Sequence, residues 1–151
     1  MKRPFTMLAV AALLGLSLAA SPATAPDVSA APCIQIYRIY FDSPGADSGS
    51  NSSLNAEWIQ LRNRCSSAKS LTGWTVRDTS SHIYRFGSFS LGAGASVRLH
   101  TGKGTNTAGH RYWASRYYIW NNNGDRATVK NAAGTVIDRC SFSGAGSAVY
   151  C

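Results

Sequence analysis

Two alternating apolar runs, CIQIYRIYF (Cys33–Phe41) and EWIQLRN (Glu57–Asn63), constrain the fold more than any other feature of this chain. Laid antiparallel with Phe41 opposite Glu57, they set Ile39 against Ile59, Tyr37 against Leu61 and Cys33 against Cys65. Such a register is strongly specified, because a slip of one residue would turn every side chain to the other face. Cysteines directly opposed on neighbouring strands can also meet disulfide geometry. The second face, with Tyr40 opposite Trp58 and Ile36 opposite Arg62, is only partly polar.

The rest of the chain repeats short apolar runs between turn residues. DSPGADSGSNSSLNA (Asp42–Ala56) is expected to be a long polar loop. GWTVRD (Gly73–Asp78) and IYRF (Ile83–Phe86) read as short strands around the turn TSSH, and ASVRLHTG (Ala95–Gly102) alternates Val97 and Leu99 with Arg98 and His100. DRATVKNAAGTVID (Asp125–Asp138) reads as a hairpin turning at Asn131–Gly134. No stretch carries a sustained helical period, so the composition of strands and turns predicts an all-β sandwich or barrel. The tail CSFSGAGSAVYC is symmetric about Ala145 and Gly146 and predicts a terminal hairpin with Phe142 opposite Val149. Four cysteines allow three connectivities; the two registers favour Cys33–Cys65 and Cys140–Cys151.

The first residues have the composition of a targeting segment. Lys2 and Arg3 precede an apolar run, Met7–Leu18, with small residues behind it at Ala23-Thr24-Ala25 and Val28-Ser29-Ala30. That is a secretory signal peptide pattern, too short for a membrane span. Residues 1–30 are expected to be removed, with the cut after Ala30 favoured over Ala25, which would leave Pro26 at the new terminus. A lipid anchor on Cys33 is disfavoured by Pro32 and by its distance from the apolar run. The expected product is a single domain, residues 31–151, secreted and extracellular, with no membrane span. An even number of cysteines in an exported chain suits two disulfides, and no CxxC pair suggests a metal site.

Charge adds a clue about partners. Removing Lys2, Arg3 and Asp27 from the full chain's 15 basic and 7 acidic residues leaves 13 against 6, a net charge of +7. Such a surface attracts anionic polymers, and the bias toward arginine suits phosphate. HRYWASRYYIW (His110–Trp120) interleaves cations with aromatics, a mix that suits phosphate contact plus stacking. The candidate binding residues are therefore Arg111, Arg116, Lys103, Tyr112, Trp113, Tyr117 and Tyr118, with nucleic acid or an anionic cell-wall polymer as partner, or other secreted proteins. In a sandwich, half of those aromatics would face the core instead.

Two segments in order resemble the lamin-tail domain family. SLNAEWIQLRNRCSSAKSLTGWTVRD (Ser53–Asp78) is similar to its first half, with an acidic-aromatic strand start and an L-x-G-W-x-[VL]-x-D turn. WNNNGDRATVKNAAGTVID (Trp120–Asp138) is similar to its second half. The resemblance runs from about Cys33 to Phe142 and is greatest to small secreted bacterial members. It implies an immunoglobulin-like β-sandwich and a binding or adaptor role without a reaction. Trp74 and Trp120 would be core or core-edge aromatics. Asn121, Asn122, Gly124 and Gly134 would serve turns, and Asp78, Asp125 and Asp138 would accept backbone hydrogen bonds.

Chemical sites are otherwise sparse, and no catalytic residue, cofactor or metal is expected. NNNGD (Asn121–Asp125) does not have the spacing of an EF-hand loop, and Asp42, Asp47 and Asn51 form a second, weaker calcium candidate. TGKGT (Thr101–Thr105) lacks the pattern of a phosphate loop and reads as a glycine-rich turn. There is no G-x-S-x-G elbow, and Glu57 is the chain's only glutamate, which disfavours paired-carboxylate chemistry. His82, His100 and His110 are expected in separate loops or exposed strand positions. The expected function is a secreted non-catalytic binding module, with a structural envelope protein, a hydrolase or a nuclease accessory as alternatives.

Overall fold

The computed structural model describes residues 32–151; the expected signal peptide and both candidate cleavage sites lie outside the described residues. Strands β1 (Ile34–Tyr40), β2 (Trp58–Asn63), β7 (Ser96–His100), β8 (His110–Tyr112) and β11 (Ala148–Tyr150) form one sheet in the order β11-β1-β2-β7-β8. A second sheet has the order β10-β9-β4-β5, from β4 (Thr75–Arg77), β5 (Ile83–Arg85), β9 (Asp125–Lys130) and β10 (Val136–Phe142). A short ribbon joins β3 (Lys69–Ser70) to β6 (Ser90–Leu91). One core fills the space between the sheets, built from Ile34, Ile36, Ile39, Ile59, Leu61, Val97 and Leu99 of the first and Val76, Ala127 and Val129 of the second. Trp74 and Trp120 are both buried in it. The strand pattern leaves a sandwich or a barrel open; the fold is a sandwich, of the immunoglobulin-like kind that the family resemblance implies.

The register of β1 on β2 is as expected at one end, Ile39 with Ile59 and Tyr40 with Trp58. It then shifts between Ile36 and Arg38, so Ile36 rather than Tyr37 faces Leu61, and Gln35 rather than Ile36 faces Arg62. The cause is the spacing of the isoleucines. Ile34, Ile36 and Ile39 are all buried, and strict alternation would expose one of them. An extra residue restores the inward face, and Tyr37 is the one turned out, 38% exposed. The Ile36 amide donates to Asp138 Oδ2 of the other sheet at 2.8 Å. The Cys33–Cys65 bond forms despite the shift.

The terminal hairpin does not form. β10 pairs with β9, and β11 pairs with β1, where Val149 faces Ile39 rather than Phe142. Phe142 stacks on Phe41 instead, 4.3 Å between ring centroids. The Cys140–Cys151 disulfide is present and links the two sheets instead of closing a hairpin. The symmetry of the tail is therefore a crossing from one sheet to the other, with Ser147 accepting from the amides of Phe41 and Asp42. The expected loop Asp42–Ala56 also contains a helix, α1 (Asn51–Ala56), capped by Ser50, whose side chain accepts from the Ser53 amide.

Candidate functional site

The six Asp and Glu side chains of residues 32–151 all accept hydrogen bonds from groups within the chain. Asp125 takes the Thr79 amide and hydroxyl (3.1 and 2.6 Å), the Arg126 amide (2.7 Å) and the Asn121 amide (3.3 Å). Asp138 takes the amides of Ile36 and Arg139. Asp42 and Asp47 both accept from the Asn122 side-chain amide, at 3.1 and 3.3 Å. Asn122 of one calcium candidate and Asp42 and Asp47 of the other thus form a clasp between two loops, while Asn51 bonds the backbone of Lys103.

NNNGD is a turn: Gly124 donates to the Asn121 carbonyl, and the Asn123 amide donates to Asn121 Oδ1. Gly124 has φ of +127°, and a Cβ there would lie 2.9 Å from the Phe142 carbonyl oxygen, so a side chain is excluded twice. At the other turn, Asn131–Gly134, Gly134 has φ of +85° and donates to the Asn131 carbonyl.

Glu57 is fully buried, 0% exposed. Its Oε1 accepts from the Thr101 hydroxyl and the Ile119 amide (2.5 and 2.8 Å), and its Oε2 from the Trp120 amide (3.3 Å). Burial pushes its carboxyl up to about 7, against the opposing pull of those donors. It anchors the aromatic segment to β2 and to the end of β7.

That segment is strand only at His110–Tyr112, running parallel to β7, and its candidate binding residues divide. Arg111 lies over the Phe89 ring at 3.8 Å, and its guanidinium donates to the Thr107 and His110 carbonyls. Tyr112 faces the other way, stacked on His100. Trp113 packs against Tyr84 and Trp120. The Tyr118 hydroxyl bonds Ser53 Oγ at 2.6 Å. Lys103, Arg116 and Tyr117 are exposed, Tyr117 at 78%. The residues thus form no single stacked row, and half of the aromatics are structural. TGKGT is held by α1, since Asn51 and Asn55 both donate to the Lys103 carbonyl and the Lys103 amide donates to Asn51.

The histidines are more organised than their spacing in sequence suggests. His100 and His110 are neighbours, with Nε2 of the first 2.9 Å from Nδ1 of the second. A backbone carbonyl only accepts, so His100 Nδ1 must carry the proton donated to Asn55 O. Its Nε2 is then an acceptor, and His110 Nδ1–H is the donor. Burial holds the His100 imidazole below its ordinary range, helped by His110 and Arg98 and opposed by Asn55. His82 pairs with Asp78, Nδ1 to Oδ2 at 2.6 Å, with the Asp78 side chain fully buried and His82 47% exposed. His82 Nε2 has no hydrogen-bond partner among the described residues. Sequence reading missed the imidazole pair, because only the parallel pairing of β8 with β7 brings the two rings together.

The fold and the carboxylate-held turns define an immunoglobulin-like sandwich of a particular kind. The sequence profile of the Lamin Tail Domain matches residues 27–144, and the chain belongs to that family. No curated protein matches the chain.

Proposed function

We propose that this Lamin Tail Domain protein is a secreted, non-catalytic binding module for a phosphate-rich polymer, nucleic acid or an anionic cell-wall polymer. One observation carries this reading. Among the described residues the only ion pair is His82–Asp78, so none of the 13 Lys and Arg side chains is paired with a carboxylate. The acidic groups are held by backbone, hydroxyl, amide and imidazole donors, which leaves the Lys and Arg charge uncompensated by carboxylates. Arginine in that state pairs well with phosphate. Secretion is supported by two disulfides, which persist in oxidising compartments.

The test is a titration of residues 31–151 with DNA and with a teichoic-type polymer, at low and at moderate salt. Binding at low salt that weakens steeply with added salt is expected; no binding to either at low salt rules the module out. The non-catalytic half has its own test, in nuclease, phosphatase and glycosidase assays. The Asp78–His82 pair is the arrangement most like an oriented base, so a turnover lost in His82→Ala would overturn it.

A further inference from the structure

The outer face of the four-stranded sheet gathers four cations around one hydroxyl. Along β9, Ala127 and Val129 are fully buried in the core, which turns Arg126, Thr128 and Lys130 outward. Arg77 of β4 and Arg139 of β10 both pair opposite Thr128, one from each side. Neighbouring strands lie about 5 Å apart and same-face residues about 7 Å apart along a strand. Arg77, Arg139, Arg126 and Lys130 therefore surround Thr128, itself 8% exposed, at the base of a groove of about 240 Å³.

Nothing in the fold asks for this. An outward sheet face needs only polar side chains, and like charges on adjacent strands repel. Asp78 borders the groove, but its carboxylate already accepts the His82 amide and ring nitrogen. Thr79, at the rim, donates its hydroxyl to Asp125. The guanidinium groups of Arg77, Arg126 and Arg139 bond no acceptor among the described residues. A tetrahedral oxyanion would supply what is missing: acceptor oxygens for the guanidinium forks, charge for all four cations, and an acceptor for the Thr128 hydroxyl.

We propose that this groove is a discrete site for a phosphate or sulfate group, carried as the free ion or as a terminal ester. It shares no residue with the Lys103, Arg111 and Arg116 surface and does not depend on the polymer reading.

The experiment is titration of residues 31–151 with inorganic phosphate and with sulfate at constant ionic strength, followed by amide chemical shifts and by Tm. Further arms use an oligonucleotide with, and one without, a terminal phosphate. Saturable shifts centred on Thr128, Arg77 and Arg139 are expected, with a matching rise in Tm. Arg77→Gln with Arg139→Gln, and separately Thr128→Val, should each weaken phosphate by about tenfold or more, while Arg111→Ala with Arg116→Ala leaves it unchanged. Preference for the terminally phosphorylated oligonucleotide marks the ester as the source; equal affinity of the two, with free phosphate still bound, marks the free ion. Phosphate binding without polymer binding sustains the site and sinks only the polymer reading. Polymer binding without saturable phosphate binding overturns the site, as does equal weakening by every arginine variant.

Discussion

At the scale of single residues, Glu57 is the most consequential group. Its three donors would favour the ionised form, yet desolvation is the larger effect and raises its pKa from 4.5 to about 7. An acid raised on folding keeps its proton when the unfolded chain has lost it. Between pH 4.5 and 7 the native state therefore binds more protons, and stability falls as pH rises. The full effect is about 3 kcal/mol, reached near pH 7 and absent below 4.5. His100 works in the opposite sense: its lowered pKa costs stability as pH falls below 6.5. Comparing wild type with Glu57→Gln by urea unfolding across this range isolates the carboxyl, because His100 is common to both. The advantage of wild type over the variant should shrink by about 3 kcal/mol from pH 4.5 to 7; parallel curves would show that Glu57 ionises normally.

At the scale of elements, the two disulfides do different work. Cys33–Cys65 ties the ends of two strands already paired, closing a separation of 32 residues. Cys140–Cys151 spans only 11 residues but joins β10 of one sheet to the end of β11 in the other. Loop entropy gives about 4 kcal/mol to the first and about 3 kcal/mol to the second. Removing the second should nonetheless free more structure, because β11 is an edge strand of three residues. In Cys140→Ala with Cys151→Ala, amide exchange should accelerate first at Ala148–Tyr150 and in the β1 amides facing them; uniform acceleration would mean β11 is not separately held.

Both pairings were legible in the sequence, although the bulge shifts the register expected behind the first and the hairpin expected behind the second does not form. The longer strands and the β9–β10 hairpin follow from alternation and turn chemistry, the buried tryptophans were implied by the family resemblance, and the two-residue strands β3 and β6 are too short to carry a pattern. The bulge at Tyr37 could be seen only by asking all three isoleucines to be buried at once. The crossing of the tail depends on β1 offering a free edge, which is a property of the assembled sheet. The oxyanion groove was hidden for the same reason: Arg77, Arg126, Lys130 and Arg139 span more than sixty positions of sequence, and registers on both sides of β9 bring them together.

At the scale of the whole molecule, the acids are engaged by hydrogen-bond donors within the fold while the Lys and Arg side chains have no carboxylate partner among the described residues, and that division sets how a polymer would be held. With no Lys–carboxylate or Arg–carboxylate pair to break among the described residues, an arginine or lysine that meets a phosphate releases counterions without first losing an anionic partner. The slope of log affinity against log salt then counts contacts, roughly 0.9 per phosphate for duplex DNA. Lys103 and Arg116 are exposed, and each should contribute one such contact. Arg111 differs, since its guanidinium already lies on Phe89 and donates to two carbonyls. Substituting Lys103 or Arg116 by alanine should reduce the magnitude of the slope by about 1 each, and Arg111→Ala should change it less. The measurement is duplex DNA affinity at several salt concentrations for wild type and the three variants. A larger loss of slope at Arg111 than at the other two would mean that this side chain leaves Phe89 to bind. An unchanged slope in all three would move the polymer contact to another face of the sandwich.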